Sequence, residues 1–210
     1  MNKKEFRRSC IDRLKKINRG VRYGSDKRLS KILYRYIKDQ NYRVIMLYVP
    51  LKIEINIFDL IQRLRRENRV VLVPFMEGKS FRLVKYRLPI NIKKFGVKEP
   101  NISNNIYKKI DLAIVPVIGI DKSLRRVGFG QGFYDRFFEE HGKKIEKIFF
   151  VGRDYCLSSQ PITDDYDVAG DLYITPKKIY KRENIGLLQR RNYDRRDIII
   201  NDYRYIRSRC

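Results

Sequence analysis

Cysteine is scarce. Cys10, Cys156 and Cys210 stand far apart, without the paired spacing of a zinc site or a disulfide framework, and this points to a reducing compartment. Histidine is rarer still: His141 is the sole one, and beside Gly142 it reads as charge at a helix end rather than as a catalyst. Acidic residues number 24 against 48 Lys and Arg, a net charge of +24. That surplus attracts polyanions without choosing among nucleotides, nucleic acid and anionic lipid. Its spread along the chain reads as a cationic, solvated surface rather than a nucleic-acid footprint, so nucleic acid is not expected beyond nonspecific attraction. No apolar run approaches the roughly 20 residues that span a bilayer. The opening MNKKEFRRSC has a signal peptide's charge but no apolar region after it. Internal repeats and Pro-rich or Ser-rich linkers are also lacking. A soluble, cytoplasmic, monomeric protein that does not engage membranes is the expectation.

What is present suffices for a core: 210 residues, 43% hydrophobic and 12% aromatic, fit one domain with a tail. Phe6, Cys10, Ile11, Leu14 and Ile17 recur at helical spacing, and Asn18 to Gly20 supply a stop. Ser25 or Asp26 reads as the N-cap of a second helix carrying Leu29, Ile32, Leu33, Tyr36 and Ile37, and ending near Asp39 to Asn41. The apolar run Arg43 to Val49 suits a strand buried on both faces. A helix around Ile57 to Arg66 follows, then a strand from Val70 and a more alternating one from Phe81, as at an edge. After an irregular stretch from Pro89 to Asn105, Asp111 to Ile120 reads as one central strand despite Pro116. Lys147 to Val151 and Leu172 to Thr175 are further strands. The alternation predicts a single α/β domain over 1–176, a layered Rossmann-like architecture with a largely parallel sheet. Residues 177–210 read as an appended basic tail, partly helical, with one apolar triplet at Ile198 to Ile200.

The segment LRRVGFGQGFYDRFF, Leu124 to Phe138, lies between a strand and a helix. Gly128, Gly130 and Gly132 alternate there, so backbone N–H groups can converge on a phosphate beside a helix N-terminus. Arg125 and Arg126 can add guanidinium donors, and Asp135 in the first helical turn can hold a magnesium ion. From residue chemistry alone a tight turn with a helix-starting Asp explains the loop equally well. The spacing matches neither G-x-G-x-x-G nor the P-loop.

The run DLAIVPVIGID followed by RVGFGQGFYDRFF resembles the signature of the 5-formyltetrahydrofolate cyclo-ligases, also called methenyltetrahydrofolate synthetases. Lys3 to Arg7, KKEFR, resembles that family's Lys-x-x-Leu-Arg, whose cations contact ATP phosphates. YVPLKIEINIFDLI resembles the segment whose Glu meets the folate, and YDVAGDLYITP the His-Asp-x-x-x-Asp segment that ends in a magnesium ligand. The resemblance covers roughly residues 3 to 176. It implies ATP binding by Lys3, Arg7, Arg126, Gly128, Gly130, Gln131, Gly132, Phe133 and Tyr134, with Arg126 and Tyr134 at the reacting atoms. It implies substrate contacts at Val49, Glu54, Phe129 and Phe133, and Mg2+ on Asp135 and Asp171. The implied reaction turns 5-formyltetrahydrofolate and ATP into 5,10-methenyltetrahydrofolate, ADP and phosphate. Tyr166 departs from the family's His, and Phe129 and Gln131 stand where some members carry Arg and Lys. The rival reading, from charge and from Tyr and Arg in the tail, is a nucleic-acid-binding protein on an α/β scaffold without ligase activity.

Overall fold

The computed structural model describes residues 1–87, 90–92, 98–100, 107–181 and 199–200. Helix α1, Lys3–Lys16, begins at a capping box: Asn2 Oδ1 accepts from the Glu5 N–H while Glu5 Oε2 accepts from the Asn2 N–H. Helix α2, Arg19–Asp39, starts at Asn18, whose side chain caps the Val21 N–H. The expected start at Ser25 or Asp26 is therefore corrected. An Asn cap and continuous backbone bonding carry the helix through Gly20 and Gly24, at a cost of only about 1 kcal/mol per glycine. Asp26 is employed elsewhere, as described below.

The strands are β1 (Val44–Met46), β2 (Val70–Glu77), β3 (Ser80–Lys85), β4 (Ile90–Ile92), β5 (Lys98–Pro100), β6 (Ile110–Pro116), β7 (Gly119–Asp121), β8 (Arg126–Val127), β9 (Ile145–Val151), β10 (Leu157–Ser158), β11 (Leu172–Ile174), β12 (Ile179–Lys181) and β13 (Ile199–Ile200). Helix α3 spans Phe58–Arg66 and α4 spans Phe133–His141. The main sheet runs β13-β12-β11-β9-β6-β1-β2-β3. Its five central strands, β11 to β2, pair in parallel, and β3 closes one edge antiparallel, as its alternating sequence predicts.

Three expectations change. Residues 90–92 and 98–100 form an antiparallel pair where an irregular stretch was expected. Asp111 to Ile120 is not one strand: β6 ends at Pro116, which has no N–H to extend the ladder, and β7 turns into a small sheet between β10 and β8. Beyond 176, β12 pairs antiparallel with β11 and buries Ile179 and Tyr180, and β13 pairs with β12. Apart from these two strands, the tail after Lys181, with its expected helical character, lies outside the described residues.

Side-chain alternation builds a core on each face of the sheet. Ile45, Leu112 and Ile114 point to the face covered by α2 and α3, while Met46, Ala113 and Val115 point to Phe137 and Phe138 of α4. A third cluster seats Phe6, Cys10 and Leu14 of α1 on Ile118, Val127 and Cys156. Cys10 and Cys156, 146 positions apart, are joined there as a disulfide. This corrects the expectation drawn from cysteine spacing, because distance along a chain does not limit proximity after folding. Among the described residues, no helix is long and apolar enough to cross a membrane.

The chain leaves β1 toward β2 through α3, on one face, and leaves β6 toward β9 through α4, on the other. β1 and β6 are neighbours, so the topological switch point lies at their carboxyl ends, where open α/β sheets commonly hold ligands.

Candidate active site

The glycine loop follows β8 and leads into α4. Gly130 (φ 98°) and Gly132 (φ 68°) adopt left-handed backbone that disfavours a side chain. Gly132 is also the N-cap of α4, which it cannot cap with a side chain. The three glycines admit three guanidinium groups. A Cβ on Gly128 would strike that of Arg126, one on Gly130 would lie 3.3 Å from Arg7 Nη1, and one on Gly132 would lie 2.7 Å from Arg136 Nη1. Arg7 Nε donates to the Gly128 carbonyl at 2.7 Å. Arg136 donates to the carbonyls of Gln131 and Lys79, tying the loop to the β2–β3 turn.

Arg126 is the inner guanidinium, only 7% exposed. Its Nε donates to the Pro116 carbonyl at 3.2 Å, Nη1 lies 3.8 Å from Asp135 Oδ2, and the group stacks 4.6 Å from the Tyr134 ring centre. Glu54, in the loop after β1, interacts by charge with the same pair: Arg126 favours its ionised form, and it in turn raises Tyr134. Glu54 Oε2 accepts from the Leu51 N–H at 2.9 Å. Burial pushes its carboxyl up to about 7, against the opposing pull of that N–H and of Arg126. Burial and Glu54 together raise Tyr134, so its hydroxyl stays a neutral donor. Val49 is half-buried against the core beside this loop.

Lys3 is the first residue of α1. Its ammonium pairs with the buried Asp167, lies 3.4 Å from Asp164 and sits 5.4 Å above the Tyr166 ring. Burial pulls its pKa down, but the Asp167 hydrogen bond and charge outweigh this and hold it above the usual lysine value. Tyr166, the departure from the family's His, thus packs against a residue of the expected phosphate clamp. Arg125, the other guanidinium expected beside the phosphate, donates to the Asp164 carbonyl and pairs with Asp165. Phe129 and Gln131 are exposed, Phe129 at 39%, and Phe133 lies half-buried under the Arg136 guanidinium.

The two expected metal carboxylates are not brought together. Asp135 stands in the first turn of α4 facing Arg126, with the Val168 N–H at 3.5 Å from its other oxygen. Asp171 accepts from the Ile148 N–H at 2.8 Å and faces Lys147 at 3.4 Å. Strand register puts Asp171 level with Ala113, three residues short of Pro116, roughly 10 Å back along the sheet. One carboxylate plus phosphate oxygens is an ordinary donor set for magnesium, so Asp135 alone fits the ion and the pair does not. Among the described residues no three His, Cys, Asp or Glu side chains cluster as a metal site.

Sequence reading missed Asp121, Arg136 and Arg153. Asp121 is fully buried and accepts from the N–H groups of Ser123, Arg125, Ile162 and Thr163 and from the Thr163 hydroxyl, which pins the approach to the glycine loop. Its place at the end of the apolar run DLAIVPVIGID entered the family resemblance, but the sequence alone assigns it no role of its own.

Comparison with known proteins identifies the family. Residues 1–175 match the model of the 5-formyltetrahydrofolate cyclo-ligase family. A 5-formyltetrahydrofolate cyclo-ligase of Mycolicibacterium smegmatis is 28% identical over 146 residues, covering 65% of this chain and 75% of that protein. The solved 5,10-methenyltetrahydrofolate synthetase of Aquifex aeolicus superposes with a TM-score of 0.70 at 22% identity, over 92% of this chain and all of that one. That of Mycoplasma pneumoniae gives 0.66 at 18% identity, over 84% and 99%. With the family model matched from the first residue through β11, the chain belongs to the 5-formyltetrahydrofolate cyclo-ligase family.

Proposed function

We infer that this ligase uses ATP to close 5-formyltetrahydrofolate into 5,10-methenyltetrahydrofolate, releasing ADP and phosphate. The observation that carries the reading is Arg126, whose buried guanidinium lies against Gly128 of the glycine loop, beside Tyr134 and Asp135, and whose charge favours the ionised form of Glu54. One cation at that junction serves a reaction in which a phosphoryl group passes from nucleotide to folate. The formyl oxygen attacks the γ-phosphorus and the bond to ADP breaks. The anilino nitrogen then adds to the activated carbon, loses its proton, and the carbon–oxygen bond breaks to release phosphate. Arg126, Arg7 and the loop N–H groups stabilise charge on the phosphoryl oxygens, while Tyr134 and Glu54 hold the folate ring. Magnesium on Asp135, when bound, offsets phosphate charge. Lys3 joins the phosphate contacts, and Val49, Phe129 and Phe133 line the apolar approach.

The deciding assay follows the absorbance of the methenyl product from 5-formyltetrahydrofolate with and without ATP, alongside ADP release. Product independent of ATP, or ATP hydrolysis without product, would overturn the reading. Salt-resistant, sequence-selective nucleic-acid binding in place of turnover would favour the rival.

Glu54 adds a pH signature. Its raised carboxyl keeps its proton in the folded protein while the unfolded chain ionises, so this group lowers stability as pH rises from its ordinary value of 4.5 toward about 7, and the full penalty stands above that. Pteridine N–H donors that pair with the carboxylate favour its ionised form. kcat/KM for the folate is therefore expected to rise between about pH 6 and about pH 8 with an apparent pKa near 7, read by ADP release. Glu54→Gln should flatten this step and lose roughly 1.5 to 3 kcal/mol of folate kcat/KM with ATP affinity unmoved. An unchanged pH profile in that variant assigns the step elsewhere.

A further inference from the structure

Three segments that the sequence keeps apart meet at Arg153, in the turn that follows β9. Its side chain is 3% exposed, and its Nη1 lies 2.9 Å from Asp26 Oδ1 of α2 and donates to the Arg22 carbonyl. Nε donates to the Ile53 carbonyl at 3.3 Å, and Nη2 donates to the carbonyl of Glu54 itself. The anchoring continues along the same turn. The Tyr48 hydroxyl donates to the Ile55 carbonyl, and Asp26 Oδ1 also accepts from the Asn56 N–H. The carbonyls of residues 53, 54 and 55 and the N–H of 56 are all taken, three of these four by Arg153 or by its counter-ion.

We propose that Arg153 is a positioning residue for the folate half of the site, with Asp26 as its anchor: through them the turn bearing Glu54 is fixed to the end of β9. A guanidinium suits this task because it donates in several directions from one rigid plane. A buried cation is tolerated only when its donors and its charge are both satisfied, as here. β9 pairs with β6, and from β6 the chain runs through β7 and β8 into the glycine loop. The spacing between Glu54 and Arg126 is thus set through Arg153, which touches neither substrate. Its place resembles that of the other site residues, at the carboxyl end of a parallel strand.

The inference rests on the reading of Glu54 given above, and the test separates the two. Arg153→Lys keeps a cation beside Asp26 but cannot serve the Ile53 and Glu54 carbonyls together. It is expected to raise the KM for 5-formyltetrahydrofolate about tenfold while kcat and the KM for ATP stay within about twofold of wild type. Asp26→Asn keeps the acceptor for Asn56, is the milder change should Arg153→Lys fold poorly, and should shift the same KM alone, by a smaller factor. The double variant should be no worse than the lysine variant, since both act through one turn. A folded Arg153→Lys or Asp26→Asn protein with unchanged folate KM, or with both KM values raised alike, overturns the inference. Glu54→Gln measured beside them isolates the cause: if it too leaves folate KM unmoved, the reading of Glu54 falls, and the inference with it.

Discussion

Arg126→Met is expected to lower kcat by about three orders of magnitude, the lower end of what an arginine contributes to phosphoryl transfer. The methionine stem fills most of the space between Pro116 and Tyr134 but offers no donor and no charge. Asp135 then loses its cationic neighbour, but it retains the Val168 N–H and some solvent access, so the protein should still fold. Thermal melting and circular dichroism would establish that, and single-turnover ADP release would report the chemical step. A folded variant within tenfold of wild-type kcat would remove Arg126 from the reaction and leave it a packing residue under the glycine loop.

The second large effect falls on a residue without a side chain. Gly128→Ala would set a methyl group against the Arg126 guanidinium. Gly128 does not have a positive φ, so alanine is not strained in its backbone, and the guanidinium can move because it ends a flexible stem. What it cannot do is move and still hold Pro116, Asp135 and Tyr134. The expected result is a stable protein whose kcat/KM for ATP falls about a hundredfold, comparable to the loss of one preorganised donor. Because both changes remove the same cation from its station, Arg126→Met with Gly128→Ala should be little worse than Arg126→Met alone. Additive losses would mean that Gly128 acts through its own N–H, independently of Arg126.

The parallel core was readable because strands buried on both faces must be apolar throughout, as in VIM and VVLV, and the edge strand because FRLVKY alternates. The glycine loop was readable from spacing, and its family from longer runs of sequence. The start of α2 was not, since two glycines mimic a boundary that Asn18 had already set. The break after Pro116 was hidden because the apolar run serves two sheets in succession. Arg153 and Arg136 were lost among 48 cations: what distinguishes them is burial or a carbonyl partner, which only the folded chain supplies. Asp171 shows the converse. A motif position can be matched in sequence while its carboxylate is engaged by β9.

Arg7 reaches across 121 positions to the carbonyl of Gly128, and Lys3 across 164 to Asp167. During synthesis these cations therefore leave the ribosome long before anything they bind. At about 5 to 20 residues per second, roughly 6 to 24 seconds pass between the emergence of Arg7 and that of Gly128. The segment from α2 to β3 can meanwhile pair its own strands and bury α3. The amino-terminal helix must wait, its Phe6, Cys10 and Leu14 stripe uncovered until residues 118 to 156 arrive. A nascent or truncated chain would thus hold three of the eight strands of the main sheet and no seat for α1, and the interval in which α1 stands open is when a chaperone has most to recognise.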